Sequence, residues 1–217
     1  MKDWDRHLEE LFACRACPEV AGAPVTGAVW GARVLLLGQA PGPREGDEQK
    51  PFAWTAGKRL FAWFARLGVS ESAFRESVHI AAAIRCFPGR APKGGDRVPS
   101  PQELERCGAH LDREIRILRP RLVIAVGTLA AELLVGKMPL VERVGKMFRA
   151  SRAGVFFDVI VLPHPSGRST WLNHPLHQER FESSLALIGK HPAWKETFGS
   201  GEDLVGTGCA GPVAKRR

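Results

Sequence analysis

The sequence predicts an α/β fold, a three-layer sandwich with a central four-stranded parallel sheet and helices on both faces. Three observations predict it. Short, near-continuous apolar runs recur along the chain, as expected of strands covered on both faces. Helical patterns fall between those runs, and each run delivers a distinctive residue or loop at its carboxyl end. With 217 residues the chain can bury one real core, since domains usually run to about 100 to 200 residues.

The elements follow in order. "MKDWDRHLEELFAC" at the start is acidic and amphipathic. "RVLLLG" (33–38) is the first strand, and it feeds "QAPGPREGDEQKPF", a proline-broken, charged loop. "AGKRLFAWFARLG" from Ala56 reads as a helix, and "VHIAAAIR" (78–85) as the second strand. "SPQELERCGAHLDREIRILRP" opens with Ser100, Pro101 and Glu103, a capping box with proline at the first helical position. "RLVIAVG" (121–127) is the third strand, "TLAAELLVG" from Thr128 a helix, and "VFFDVIVLP" (155–163) the fourth strand. "HPSGRSTWLN" follows it, then a last helix, "HQERFESSLALIGK". Residues 1–198 are expected to form one domain. The basic tail 199–217 has too little apolar content to order itself. A parallel sheet of this kind places its ligand crevice beyond the carboxyl ends of the strands. The loop after Gly38, Cys86, Gly127 and the loop from His164 should therefore share one rim.

Against 23 Asp and Glu stand 31 Lys and Arg, a formal charge of +8. That excess favours an anionic partner, with nucleic acid foremost, and Arg85, Arg90, Lys93, Arg97 and Arg168 are expected on or near the rim. No run approaches the roughly 18 apolar residues a membrane span needs, and the acidic start is unlike a signal peptide. A cytoplasmic protein without a membrane role is expected, and a monomer.

In a reducing compartment the five cysteines are better explained by metal binding or burial than by disulfides. Cys14 and Cys17 form a CxxC, while Cys86 and Cys107 come much later and flank a charged loop. Two near ligands plus two distant ones can enclose a tetrahedral zinc or a 4Fe-4S cluster, because thiolates suit both. Either would staple the N-terminal helix to the loop after the second strand and to the helix from Ser100. Cys209, in the tail, is expected to be a bystander.

Taken together, "GQAPGPREGDEQKPF", these cysteines and "HPSGRS" resemble the uracil-DNA glycosylase superfamily, most closely its iron-sulfur family 4 enzymes. The resemblance covers roughly residues 11–188. The first family motif is matched by Gly38, Gln39, Ala40, Pro41, Gly42, Glu45, Pro51 and Phe52, and the second, a His-Pro after the last strand, by His164, Pro165 and Ser166. The resemblance implies the same α/β sandwich, DNA as partner, and a structural 4Fe-4S cluster on Cys14, Cys17, Cys86 and Cys107, with zinc behind it.

It also implies roles. A glycosylase extrudes a nucleotide from the helix into a pocket. Bond cleavage leaves negative charge on the departing base, and His164 is expected to donate to it. Phe52 is implied to stack on the flipped base, while Gly38, Ala40, Pro41, Gly42 and Ser166 shape the pocket and meet the phosphate. Gln39 stands where the family usually has Glu and is expected to position water, with Glu45 as electrostatic or base support. Ala82 replaces an Asn whose amide distinguishes uracil from cytosine in the family. Uracil is expected first and another deaminated base, hypoxanthine, second. Arg168 is expected to enter the helix stack, clamp a phosphate or simply stand exposed, with Trp171 and Leu172 as alternative wedges. Trp54 replaces a usual glycine and is expected to narrow or reshape the pocket. Gln39 and Ala82 also suggest a rival, a nucleic-acid-binding protein on this scaffold that has lost catalysis. A nucleotide-binding protein using "GQAPG" as a phosphate loop is a further one.

Overall fold

The computed structural model describes residues 1–199 apart from Lys93 and Arg168. The expectations for those two residues and for the tail from residue 200 lie outside the described residues.

Strands β1 (Val34–Gly38), β2 (His79–Ala82), β3 (Leu122–Val126), β4 (Met147–Arg152) and β5 (Val155–Leu162) form one sheet in the order β2-β1-β3-β5-β4. The predicted strands are β1, β2, β3 and β5, and neighbours among them pair in parallel. β4 corrects the count: it is a fifth, antiparallel strand on the edge, paired with β5 from Met147↔Ile160 to Arg152↔Val155. Its "MFRASR" alternates between exposed and half-buried positions and lacks a continuous apolar run, so it carries little of the buried-strand signal. The hairpin turns on Ala153 and Gly154, with φ of 52° and 77°. Two successive left-handed residues suit a tight hairpin.

β2 ends earlier than expected, but the chain stays against β1: Ala83 N–H donates to Gly38 O at 2.9 Å and Ile84 N–H to Gln39 O at 3.2 Å. On the outer side of β2, Gly27 bridges Ile80 and Ala21 bridges Phe87, both antiparallel. That segment covers an edge that would otherwise invite pairing with another chain.

Residues alternate between the two faces of the sheet, and each face has its own core. Val34, Leu36, Ile124, Ile160 and Leu162 pack against helices α3 (Thr55–Ala65), α4 (Glu71–Ser77), α8 (Pro175–Lys190) and α9 (Pro192–Phe198), where Phe64 stacks on Phe74 at 4.3 Å. Leu35, Leu37, Val123, Val159 and Val161 pack against α5 (Pro101–Leu118) and α6 (Thr128–Val135). Each fully buried aliphatic or Phe side chain here contributes about 1.5–3 kcal/mol. Helix α1 (Lys2–Ala13) is tied to α5 by the Arg113–Glu10 ion pair and by His7 on the buried Glu114. The Ser100 capping box forms as predicted, with Glu103 N–H donating to Ser100 Oγ at 3.3 Å and Ser100 N–H to Glu103 Oε2 at 2.7 Å. The charged stretch read as loop after β1 contains a short helix, α2 (Pro43–Glu48), with Gly42 as its N-cap. Proline at its first position and Glu45 reaching back to the cap explain why it is helical. The four-residue α7 (Leu140–Arg143) precedes β4. No helix among the described residues is long and apolar enough to cross a membrane.

Candidate active site

A cleft of about 410 Å³ opens beyond the carboxyl ends of the strands, between the β1 loop and the loop after β5. In this strand order the connections from β1 and β3 diverge, which is where such sheets hold ligands. Gln39, Ala40, Gly42, Glu45 and Phe52 line it from the first loop, and His164 and Ser166 from the last. Gly38 lies behind the Phe52 ring, and a Cβ there would stand 3.3 Å from Phe52 Cζ. Pro41 is buried beside the lining. Ala82 pairs with Gly38 at the end of β2 and is not part of the cleft wall.

Phe52 is held in a strained backbone conformation. Its φ is 54°, a left-handed value that costs a non-glycine residue about 1–2 kcal/mol. Arg75 offsets this by donating to Pro51 O at 2.8 Å and to Phe52 O at 3.2 Å. Gly57 makes the approach possible, because a Cβ there would fall 1.7 Å from Phe52 O.

His164 is exposed along the cleft and rests against Gly127, whose φ of 87° requires glycine. Ser166 N–H donates to His164 Nδ1 at 3.2 Å. Nδ1 is therefore an acceptor, and a neutral ring carries its hydrogen on Nε2. Desolvation by the surrounding walls lowers the imidazole pKa, with the Asp96 carboxylate opposing. The loop thus favours a neutral imidazole that donates through Nε2. Ser166 O in turn accepts from Arg59 at 3.1 Å.

Glu45 is pushed up to about 7 by burial; the N–H groups of Gly42 and Phe52 and the Arg75 charge oppose the shift, and Asp96 adds to it. A carboxyl titrating there can give or take a proton near neutral pH. The Gln39 side chain faces the same space and offers an amide for holding water.

Several expectations change. Arg85 is buried, not on the rim, because its guanidinium pairs with the buried Glu114 and donates to Ala82 O at 2.6 Å. Arg97 is committed to Glu103, at 2.6 and 2.7 Å. Arg90 does line the cleft, 3.4 Å from Asp96. Trp171 and Leu172, expected as wedges, sit half-buried against the core, and Trp171 stacks on His177 at 4.2 Å. Trp54 lines the cleft and is exposed there. Asp96 and Arg44 went unnoticed in the sequence. Asp96 reaches the cleft on a hairpin closed by the Arg90–Asp96 bridge, and no spacing motif marks it.

The cysteines converge separately. Cys14 caps α1, Cys17 follows it, Cys86 lies beyond β2 and Cys107 is on α5. All four line one cavity of about 100 Å³. Arg85 N–H donates to Cys107 Sγ at 3.3 Å. Burial pushes the Cys86 thiol up to about 11, with Cys107, Cys14 and Cys17 adding to the shift, and burial raises Cys107 too. Among the described residues no three His, Cys, Asp or Glu side chains are grouped to hold a single ion.

Residues 24–186 match the family model of the uracil DNA glycosylase superfamily. The chain is 30% identical over 199 residues to the type-4 uracil-DNA glycosylase of Archaeoglobus fulgidus, an alignment covering 88% of this chain and 94% of the relative. It is 31% identical over 160 residues to the type-4 enzyme of Pyrobaculum aerophilum, covering 71% and 76%. To that of Saccharolobus solfataricus it is 29% identical over 185 residues, covering 79% of each.

Proposed function

Because the chain belongs to the uracil DNA glycosylase superfamily, we propose that it hydrolyses the N-glycosidic bond of uracil in DNA and leaves an abasic site for repair. The observation that carries this reading is the convergence of Phe52, His164, Gln39 and Glu45 on one cleft. A flipped base stacks on Phe52. As the bond breaks, negative charge collects on the base oxygens, and His164 Nε2–H meets it without first losing a proton. Gln39 positions the attacking water, and Glu45 in its ionised form takes the water's proton or steadies the cationic sugar. Gly42 and Ala40 let the backbone approach the strand closely, and Arg90 supplies positive charge at the wall.

The four cysteines fit a 4Fe-4S cluster better than a lone zinc. All four line one cavity, four thiolates are the usual ligand set of a 4Fe-4S cluster, and the family the sequence resembles is the iron-sulfur one. Cys14, Cys17, Cys86 and Cys107 would hold it, and its contribution is to staple α1, the chain after β2 and α5. The same reading takes residues 1–198 as one domain that acts as a monomer.

The test incubates purified protein with labelled oligonucleotides carrying uracil, hypoxanthine or thymine. Alkali-labile breaks are expected at uracil, with hypoxanthine, another deaminated base, the next to try. His164→Ala should lose about 10²–10³ in rate, the usual weight of one preorganised donor. Binding without breaks would favour the catalytically lost binder, and equal rates in the variant would remove His164 from the mechanism. Iron analysis and visible absorption test the cluster; colourless protein with stoichiometric zinc would overturn it.

A further inference from the structure

Trp54 belongs to neither core cluster and leaves 46% of its surface exposed. It is the N-cap of α3, two residues beyond Phe52, and it borders the cleft that holds His164. The Arg44 guanidinium lies over its ring, 3.8 Å from the ring centroid. Arg44 comes from the first turn of α2 and lines the same cleft. An indole steadied by a guanidinium beside a nucleotide-sized cleft is the kind of platform on which nucleic-acid bases stack.

Resting on the reading that this cleft takes DNA, we propose that the Trp54–Arg44 pair stacks on the base next to the everted one and selects for unpaired DNA. In a duplex that neighbouring base is held by its Watson–Crick partner and by the stack on its far side, so it cannot turn onto the indole even when the target base has left. In a single strand it has no partner and is free to turn, so an aromatic platform adds binding mainly there. Phe52 holds the target base, and Trp54 holds the strand in register beside it. Arg44 orients the indole and places positive charge close to the backbone.

Binding of a short labelled oligonucleotide without uracil, single-stranded and as a duplex, is measured by fluorescence anisotropy at fixed salt for wild type, Trp54→Ala, Trp54→Leu and Trp54→Phe. Single-strand affinity should fall about 5- to 150-fold in the Ala variant, the weight of one base–aromatic stack. Duplex affinity should change less than about twofold on the same argument. Leu should behave like Ala despite its bulk, and Phe should recover most of the loss. Thermal melting establishes that each variant is folded. Equal losses on both substrates, no loss in Ala, or full affinity in Leu would each overturn the proposal. Uracil excision by the wild type is scored separately. Selective binding without excision would sink the glycosylase reading alone, and excision without Trp54-dependent selectivity would sink this one alone.

Discussion

Replacing Gly57 with alanine tests how tightly Phe52, the proposed stacking partner of the flipped base, is positioned. A Cβ at Gly57 would lie 1.7 Å from Phe52 O and 2.7 Å from Phe52 C. Since such contacts are not tolerated below 3.0 Å, the Phe52 peptide or the first turn of α3 must retreat by more than 1 Å. The retreat pulls Phe52 O and Pro51 O from Arg75, whose charged hydrogen bonds to them contribute about 1.5–3 kcal/mol each. Two effects work the other way. Alanine favours the helix by about 1 kcal/mol, and release of the left-handed Phe52 returns about 1–2 kcal/mol. The net destabilisation should be about 1–3 kcal/mol by urea unfolding. The catalytic loss should be larger in proportion, because displacing a positioning group by about 1 Å costs about 100-fold. Single-turnover excision of uracil measures it. A Gly57→Ala protein with wild-type stability and wild-type rate would refute the claim that this contact sets the place of Phe52.

Glu45 and Glu114 carry three further predictions. With Glu45 raised to about 7, its ionised form appears as pH rises, so kcat/KM should climb through about 7 and level off, and Glu45→Gln should flatten that limb. A flat wild-type profile between about pH 5.5 and 8.5 would separate Glu45 from the chemistry. The raised value has a stability counterpart: the protonated form stabilises the fold fully below 4.5, the ordinary value, and that stability is lost as pH rises through about 7. Glu45→Gln should therefore be more favourable relative to wild type at pH 8 than at pH 5, about three units lower. For Glu114, burial alone would raise the carboxyl, but Arg85, then His79, and the hydrogen bond with His7 hold it well below the usual range. Glu114→Gln leaves Arg85 buried with its charge uncompensated and should cost about 3–5 kcal/mol in chemical denaturation; a loss under 1 kcal/mol, about a fifth of that, would show the pair is dispensable.

Much of this protein is determined along the chain itself. The runs around Leu36, Ile80, Ile124 and Ile160 are short and rich in apolar residues, as strands covered on both faces are, so four strands and their parallel pairing were legible. Ser100, Pro101 and Glu103 settle the start of α5 through contacts three residues apart. The tertiary structure alone decided what depends on distant partners. β4 exists because β5 offers it an edge, although its own residues are half exposed. Arg85 reads in the sequence as a surface cation next to a cysteine, yet Glu114, on α5, draws it into the interior. Asp96 reaches the cleft on a hairpin closed by its bridge to Arg90, and Trp54 meets the Arg44 guanidinium because α2 carries that residue to the same cleft. Local patterning fixes which backbone conformations are cheap, whereas the surroundings of a charge or a ring are set by chain segments far away in sequence.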